Sequence, residues 1–227
     1  LSSRREYTKS NPFVVLLGKG DHQITSSWTD PIFGTETATT LGITRSNITF
    51  VGTGTDTTTV LGGFGIENVE NITFKQMTVT NTSDNGTRNG IVMMNAKVEL
   101  FDVALKGSGY CALHIPNSTS ESTLVATRCD FANSRYGARV YGSLSSCTFN
   151  NCVFNDNSND GIYVTNKSTI HLHGEATAVH SNGKDGIYTW GSGKVVIHLP
   201  SNHNTVYNNG GEDRQTASGG TITNVED

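Results

Sequence analysis

The chain has 227 residues, 34% hydrophobic and 16% charged, with 25 Gly, only 4 Pro and a formal net charge of −4. No basic face or charge run points to nucleic acid, and no apolar stretch approaches the roughly 20 residues needed to cross a bilayer. Low hydrophobicity without high net charge argues against disorder and fits a narrow core under a large outer surface.

In chain order, Leu1 stands where an initiator Met would, as expected of a processed or excised piece, and no signal peptide is visible. Arg4-Arg5-Glu6-Tyr7 is a candidate cover for one end of the fold. Phe13 to Ile24 reads as an apolar strand, a Gly turn and a short second strand. Ser26 to Thr40 breaks the rhythm with Trp28, Asp30, Pro31, Phe33 and Gly34, and is expected to cap or line the first coil.

From there the chain repeats itself. Alternating segments begin at Ile48, Ile72, Val98, Leu124, Cys147, Ile170, Val195 and Ile222, at roughly 23- to 27-residue spacing. A second apolar pair follows in most units: Met77 and Val79, Val103 and Leu105, Cys129 and Phe131, Cys152 and Phe154, then Val206. Next comes a polar turn, often with Asn: Asn81, Asn133, Asn155, Asn182, Asn208. A small residue then opens a third segment: Gly90-Ile91, Cys111-Ala112, Gly137-Ala138, Gly161-Ile162, Gly186-Ile187.

Three short strands and three turns per unit make one coil of a β-helix, with every second side chain inside. The units are too short and too rich in Gly, Asn, Thr and Ser for paired helices, and too short for propeller blades of roughly 40 residues. The fold expected is all-β: a single-domain, right-handed parallel β-helix of about seven to eight coils. Residues 1–46 form the N-terminal cap and first coil, and 47–227 the repeating coils. Its core is expected to hold Ile72, Phe74, Val98, Leu100, Val103, Leu105, Cys129, Phe131, Cys152, Phe154, Ile162, Ile170, Leu172, Ile187, Val195 and Ile197.

The coil period, the Asn-rich turns and the recurring Asp160-Gly161-Ile162-Tyr163 and Asp185-Gly186-Ile187-Tyr188 segments carry a resemblance. Over roughly Phe13 to Val225 the chain resembles the right-handed parallel β-helix proteins of the pectate-lyase-like superfamily. That resemblance implies the fold and a range of functions, from polysaccharide lyases, hydrolases, epimerases and esterases to phage tailspikes and adhesins. No one subfamily is matched. The Asn-Thr-Asp, Asp-Asp, Gly-His-Gly and Arg-Ile-Lys segments of polygalacturonase-type hydrolases are absent. Tyr136-Gly137-Ala138-Arg139 departs from the epimerase segment after its glycine. Asp160 and Asp185 each precede a glycine and read first as turn residues.

Outward columns are therefore read directly. With Ala112, Ala138, Ile162 and Ile187 inward, Leu113, Arg139, Tyr163 and Tyr188 point out, and so do Ile115, Tyr141, Thr165 and Trp190 two residues on. Tyr110 and Tyr136 sit at the edge of this strip. Aromatic rings stack on sugar faces, and a guanidinium pairs with a carboxylate. Arg139, Tyr163 and Tyr188 are the candidate catalytic residues; Tyr110, Tyr136, Tyr141 and Trp190 are the candidate substrate-binding residues.

A second column carries His171, His173 and His198, with His180 and His203 near turns and Glu175 close by. It reads first as solvated surface. No metal ligand set is assigned and no cofactor is expected. Cys129 and Cys152 are expected to be a free, inward stack, and none of the four cysteines has zinc-site spacing.

Two function classes stand at this point. One is a carbohydrate-binding or carbohydrate-active β-helix on an extended, acidic polysaccharide, of lyase or epimerase type if catalytic. The other is a non-enzymatic structural, adhesin or spike-like module. Whether the chain is an enzyme stays open here, as does its oligomeric state. The expected partner is an acidic glycan, with no nucleic acid and no membrane, and the expected location is extracellular or surface-associated.

Overall fold

The computed structural model describes residues 6–29, 34, 36–82, 88–199 and 205–225. Arg4, Arg5, Asp30, Pro31, Phe33 and His203 lie outside them. The described residues form no helix. Short strands wind into coils, each coil adding one strand to each of three parallel ladders. Parallel crossovers between right-twisted strands take the right-handed sense.

The first ladder holds the apolar column that the sequence marked. Ile48 pairs with Ile72, Ile72 with Val98, Val98 with Leu124, and the column continues through Cys147, Ile170 and Val195 to Ile222. The second ladder stacks Val79, Leu105, Phe131, Phe154, Val179 and Val206. The third is an eight-stranded sheet running from Thr40–Ile43 to Arg214–Thr216. Its eight strands agree with the expected number of coils. The opening segment also winds as expected, with Phe13–Leu16 on Ile48–Val51 and Gly20–Gln23 on Thr58–Leu61.

All sixteen expected core residues are buried in one apolar column. Phe131 and Phe154 stack at 4.7 Å and 7°, and Phe149 meets both edge-on. Phe50 and Phe74 repeat the parallel stack at 5.0 Å. The four cysteines are free and buried, and Cys152 sits one coil beyond Cys129.

Two of the three kinds of corner are made by single residues in the left-handed region, and the third uses pairs such as Asn166-Lys167 and Gly191-Ser192. Between the first and second ladders these are Gln76, Asp102, Arg128 and Asn151, with φ between 52° and 56°. Asn and Asp tolerate that conformation, whereas Gln and Arg carry a Cβ penalty there. At this corner Arg128 donates to both carboxylate oxygens of Asp102, at 2.7 and 2.8 Å, which holds the Asp102 carboxyl below its ordinary value. At the next corner Asn133, Asp156, Ser181 and Asn208 turn the chain. The residues that follow point inward, and the buried Asn157 and Asn182 form an amide ladder there with the half-buried Asn209.

One strand departs from the expected register. Leu113, not Ala112, pairs with Ala138, so Leu113 is inward and His114 is the outward residue beside Arg139. Ala112 instead occupies the glycine column: a Cβ on Gly90 would lie 2.7 Å from its carbonyl oxygen. Ile115 pairs with Val140 and is fully buried, so it too is inward. The cause is local. Every residue of Cys111–Ile115 is buried, so no apolar–polar alternation reveals which side chains face the core.

Candidate functional site

The third ladder presents one outward column: Gly42, Gly65, Val92, His114, Arg139, Tyr163, Tyr188 and Gln215. Of the Ser26–Thr40 segment expected to cap or line the first coil, the described part lies against the first strands of this ladder. Trp28 lies flat over Gly42 and Gly65, where a Cβ would come within 2.8 and 2.4 Å of its ring. Only glycine leaves room for that indole. The strand Trp28–Thr29 is held by an antiparallel pairing with Glu36–Thr37.

Arg139 is the centre of the strip. Its guanidinium lies over four rings, 5.3 Å from Tyr110, 5.0 Å from Tyr136, 4.9 Å from Tyr141 and 5.4 Å from Tyr163. It donates through Nη1 to the Tyr110 hydroxyl, while its buried Nε has no hydrogen-bond partner. Among the described residues no carboxylate pairs with it. A cation among π-faces, partly desolvated and without a carboxylate, is stabilised by the ring quadrupoles and keeps its capacity for an anion from outside.

The rings form a connected chain. Tyr110 meets Tyr136 at 5.8 Å, Tyr136 meets Tyr163 at 5.9 Å, and Tyr163 meets Tyr188 at 5.3 Å. Tyr141 also contacts Tyr163, at 5.9 Å. Trp190 stands at the C-terminal end with 43% of its surface exposed, in register with Thr165 and, one coil earlier, Tyr141. Thr165 is buried between them. The fold thus gathers Arg139, Tyr110, Tyr136, Tyr141 and Tyr163 closely and continues the strip through Tyr188 to Trp190.

Sequence reasoning missed three further groups. His114 is buried beside Arg139, edge-on to Tyr110 and Tyr141. Burial, with the Arg139 charge adding to it, pushes His114 down to about 3, so its imidazole is neutral. Arg135 lies 5.6 Å from both the Tyr110 and Tyr136 rings, and Lys184 lies 5.4 Å from Tyr188. A signal for the last two was present: a base stands two residues before the strand-opening glycine in Arg88-Asn89-Gly90, Arg135-Tyr136-Gly137 and Lys184-Asp185-Gly186.

Burial pushes the Tyr110, Tyr141 and Tyr163 phenols up, and Arg139 only partly opposes it. These hydroxyls are protonated donors at neutral pH. Asp160 and Asp185 keep their turn roles. Asp160 Oδ1 accepts from the Asp185 amide at 3.1 Å, and Asp185 Oδ1 from the Glu212 amide at 2.9 Å. Burial pushes Asp160 up.

The histidine column is more organised than a solvated surface. His171, His173 and His198 are half-buried and gathered together. Glu175 is exposed and outside this group, and His180 stacks instead on Tyr207 at 5.0 Å.

This winding and its apolar core define a right-handed parallel β-solenoid. The family described as "Right handed beta helix region" matches residues 62–226, and the chain belongs to it. No curated protein sequence matches the chain. Its structure is similar to pectin methylesterase PemA from Erwinia chrysanthemi, with 13% identity, TM-score 0.54, and 98% of this chain and 84% of that one covered. A pectin methylesterase in complex with a hexasaccharide gives 14% identity, TM-score 0.54, and coverage of 100% and 86%. The A-module of mannuronan C-5 epimerase AlgE4 from Azotobacter vinelandii gives 14%, 0.58, 94% and 68%. At these identities the likeness is one of fold.

Proposed function

We propose that the outer face of the third ladder binds an extended acidic polysaccharide, at the cell surface or outside the cell. The observation that carries this reading is Arg139: a half-buried guanidinium among four tyrosine rings, with no carboxylate of its own. Rings stack on sugar faces, phenols donate to hydroxyls, and the guanidinium takes a uronate carboxylate or a sulfate. Arg135 adds positive charge along the same rim; Lys184 also stands there, 3.9 Å from Asp185 Oδ2, while one oxygen each of Asp160 and Asp185 accepts from a backbone amide. Structures of similar winding include a pectin methylesterase in complex with a hexasaccharide and a mannuronan epimerase, which supports a glycan on this kind of scaffold.

If the face also catalyses, the natural reaction is of lyase or epimerase type. Arg139 would neutralise the uronate carboxylate and make the adjacent proton more acidic; Tyr188, as its phenolate, would take that proton, and Tyr163 would give one to the leaving oxygen or to the opposite face of the carbanion. The raised Tyr163 suits it to donate rather than abstract.

The test is binding of alginate, pectin and sulfated algal glycans, followed by assays for unsaturated or reducing ends. Arg139→Ala and Trp190→Ala are each expected to weaken binding of a charged glycan at least tenfold. Absence of wild-type binding to all three, or binding that survives both substitutions unchanged, would leave the structural, adhesin or spike-like module in its place.

A further inference from the structure

The first ladder faces a different direction from the tyrosine strip and carries its own cluster. His171 and His173 stand two residues apart on Thr169–His173, so both point outward. His198, on Lys194–His198, pairs directly with His173. Positions two apart on a strand are separated by about 6.6 Å, and in-register neighbours on the next strand by about 4.8 Å. Imidazoles are long enough to converge from three such points.

They do converge. His171 Nδ1 and His198 Nε2 are 2.9 Å apart. The His173 and His198 rings stack with centroids at 4.0 Å and 12° between planes. One ligand nitrogen from each of the three lies within 4.8 Å of the others. The strands beneath them are held by the ladder and by the buried Ile170, Leu172, Val195 and Ile197, so the backbone spacing is fixed.

We propose that His171, His173 and His198 form a binding site for a divalent transition-metal ion, with Zn²⁺ the best match. A tetrahedral ion with Zn–N bonds of about 2.0–2.1 Å holds its nitrogens about 3.4 Å apart. That value falls between the 2.9 Å contact and the 4.8 Å limit, and side-chain rotations that open the His171–His198 hydrogen bond and tilt the stacked His173 and His198 rings reach it without moving the backbone. Among the described residues the donor set is three imidazoles and no carboxylate. It suits Zn²⁺, Cu²⁺ or Ni²⁺ and not Ca²⁺ or Mg²⁺, which take oxygen ligands. Three protein ligands leave a fourth position open to solvent for water or an external anion. The site shares no residue with the tyrosine strip and stands or falls separately from the glycan reading.

The experiment is calorimetric titration of ZnCl₂ into the full chain carrying no histidine tag. One ion per chain is expected, and Ca²⁺ should give no binding. His171→Gln and His198→Gln keep bulk and polarity, and each should weaken Zn²⁺ binding at least tenfold while melting like the wild type without metal. His180→Gln should leave affinity unchanged. Co²⁺ should give the intense visible absorption of a tetrahedral site, lost in His198→Gln. The proposal is overturned by no saturable Zn²⁺ binding, by affinity within threefold of wild type in both cluster variants, or by a loss caused by His180→Gln instead.

Discussion

Asn157 donates from Nδ2 to Oδ1 of Asn182, one coil further on, at 2.9 Å. The same Oδ1 accepts from the Asn157 backbone amide, and Asn182 Nδ2 in turn donates to the Phe154 carbonyl and to Asn209 Oδ1. Both side chains are buried, so each coil satisfies the corner of its neighbour where water cannot.

Asn182→Ala removes all four of these bonds. It leaves the Asn157 amide with a buried donor unmet and takes one partner from the Phe154 carbonyl. With about 1–3 kcal/mol for each buried group left unsatisfied, a loss of about 3 kcal/mol is expected. Urea unfolding measures it. A midpoint equal to that of the wild type would show that the ladder contributes nothing.

Phe131→Ala is expected to cost about 3–5 kcal/mol. The ring is fully buried, stacks on Phe154 and meets Phe149 edge-on, and neighbours fixed by ladder hydrogen bonds on both sides cannot collapse into the space. Thermal and urea unfolding of the variant check the inward column directly.

His114 gives the protein an acid sensitivity of known sign. Its folded value of about 3 lies well below the unfolded value of about 6.5. A depressed value means that the unfolded chain binds the proton first. The stability is fully present above about pH 6.5 and is lost progressively as pH falls toward 3, by about 1.4 kcal/mol per pH unit. Urea midpoints at pH 7 and pH 5 should differ in the wild type, and the difference should shrink in His114→Gln. An equal pH dependence in both would show that His114 is not the group responsible.

What the sequence revealed follows from where side chains alternate. The Ile48-to-Ile222 column lies in strands whose apolar residues face polar ones, and its pairing is residue for residue as the spacing implied. Leu113 and Ile115 were placed outward and His114 was passed over because Cys111–Ile115 is buried throughout and lacks a glycine to mark its start. The strip itself was legible, since Arg139, Tyr163 and Tyr188 share one offset from the turn glycines. The closeness of Tyr110, Tyr136 and Tyr141 to the guanidinium was not legible, because ring direction is set by packing rather than spacing. The histidines show the same limit: His198 over His173 follows from register, but the approach of His171 to His198 is a matter of rotamer.

The left-handed corners carry a consequence for how such a chain can change. Coils of unequal length still superpose strand on strand, because extra residues are taken up at corners, where one or two residues of positive φ make the bend. A residue inserted inside Ser145–Asn150 would turn every following side chain of that strand over, putting Phe149 in solvent. The same residue inserted in the 116–121 loop, between the third and first ladders, would lengthen that loop and leave the stack intact. Descendants of this chain can therefore gain and lose loops at three edges, or whole coils between them, while the paired strands stay closed to insertion.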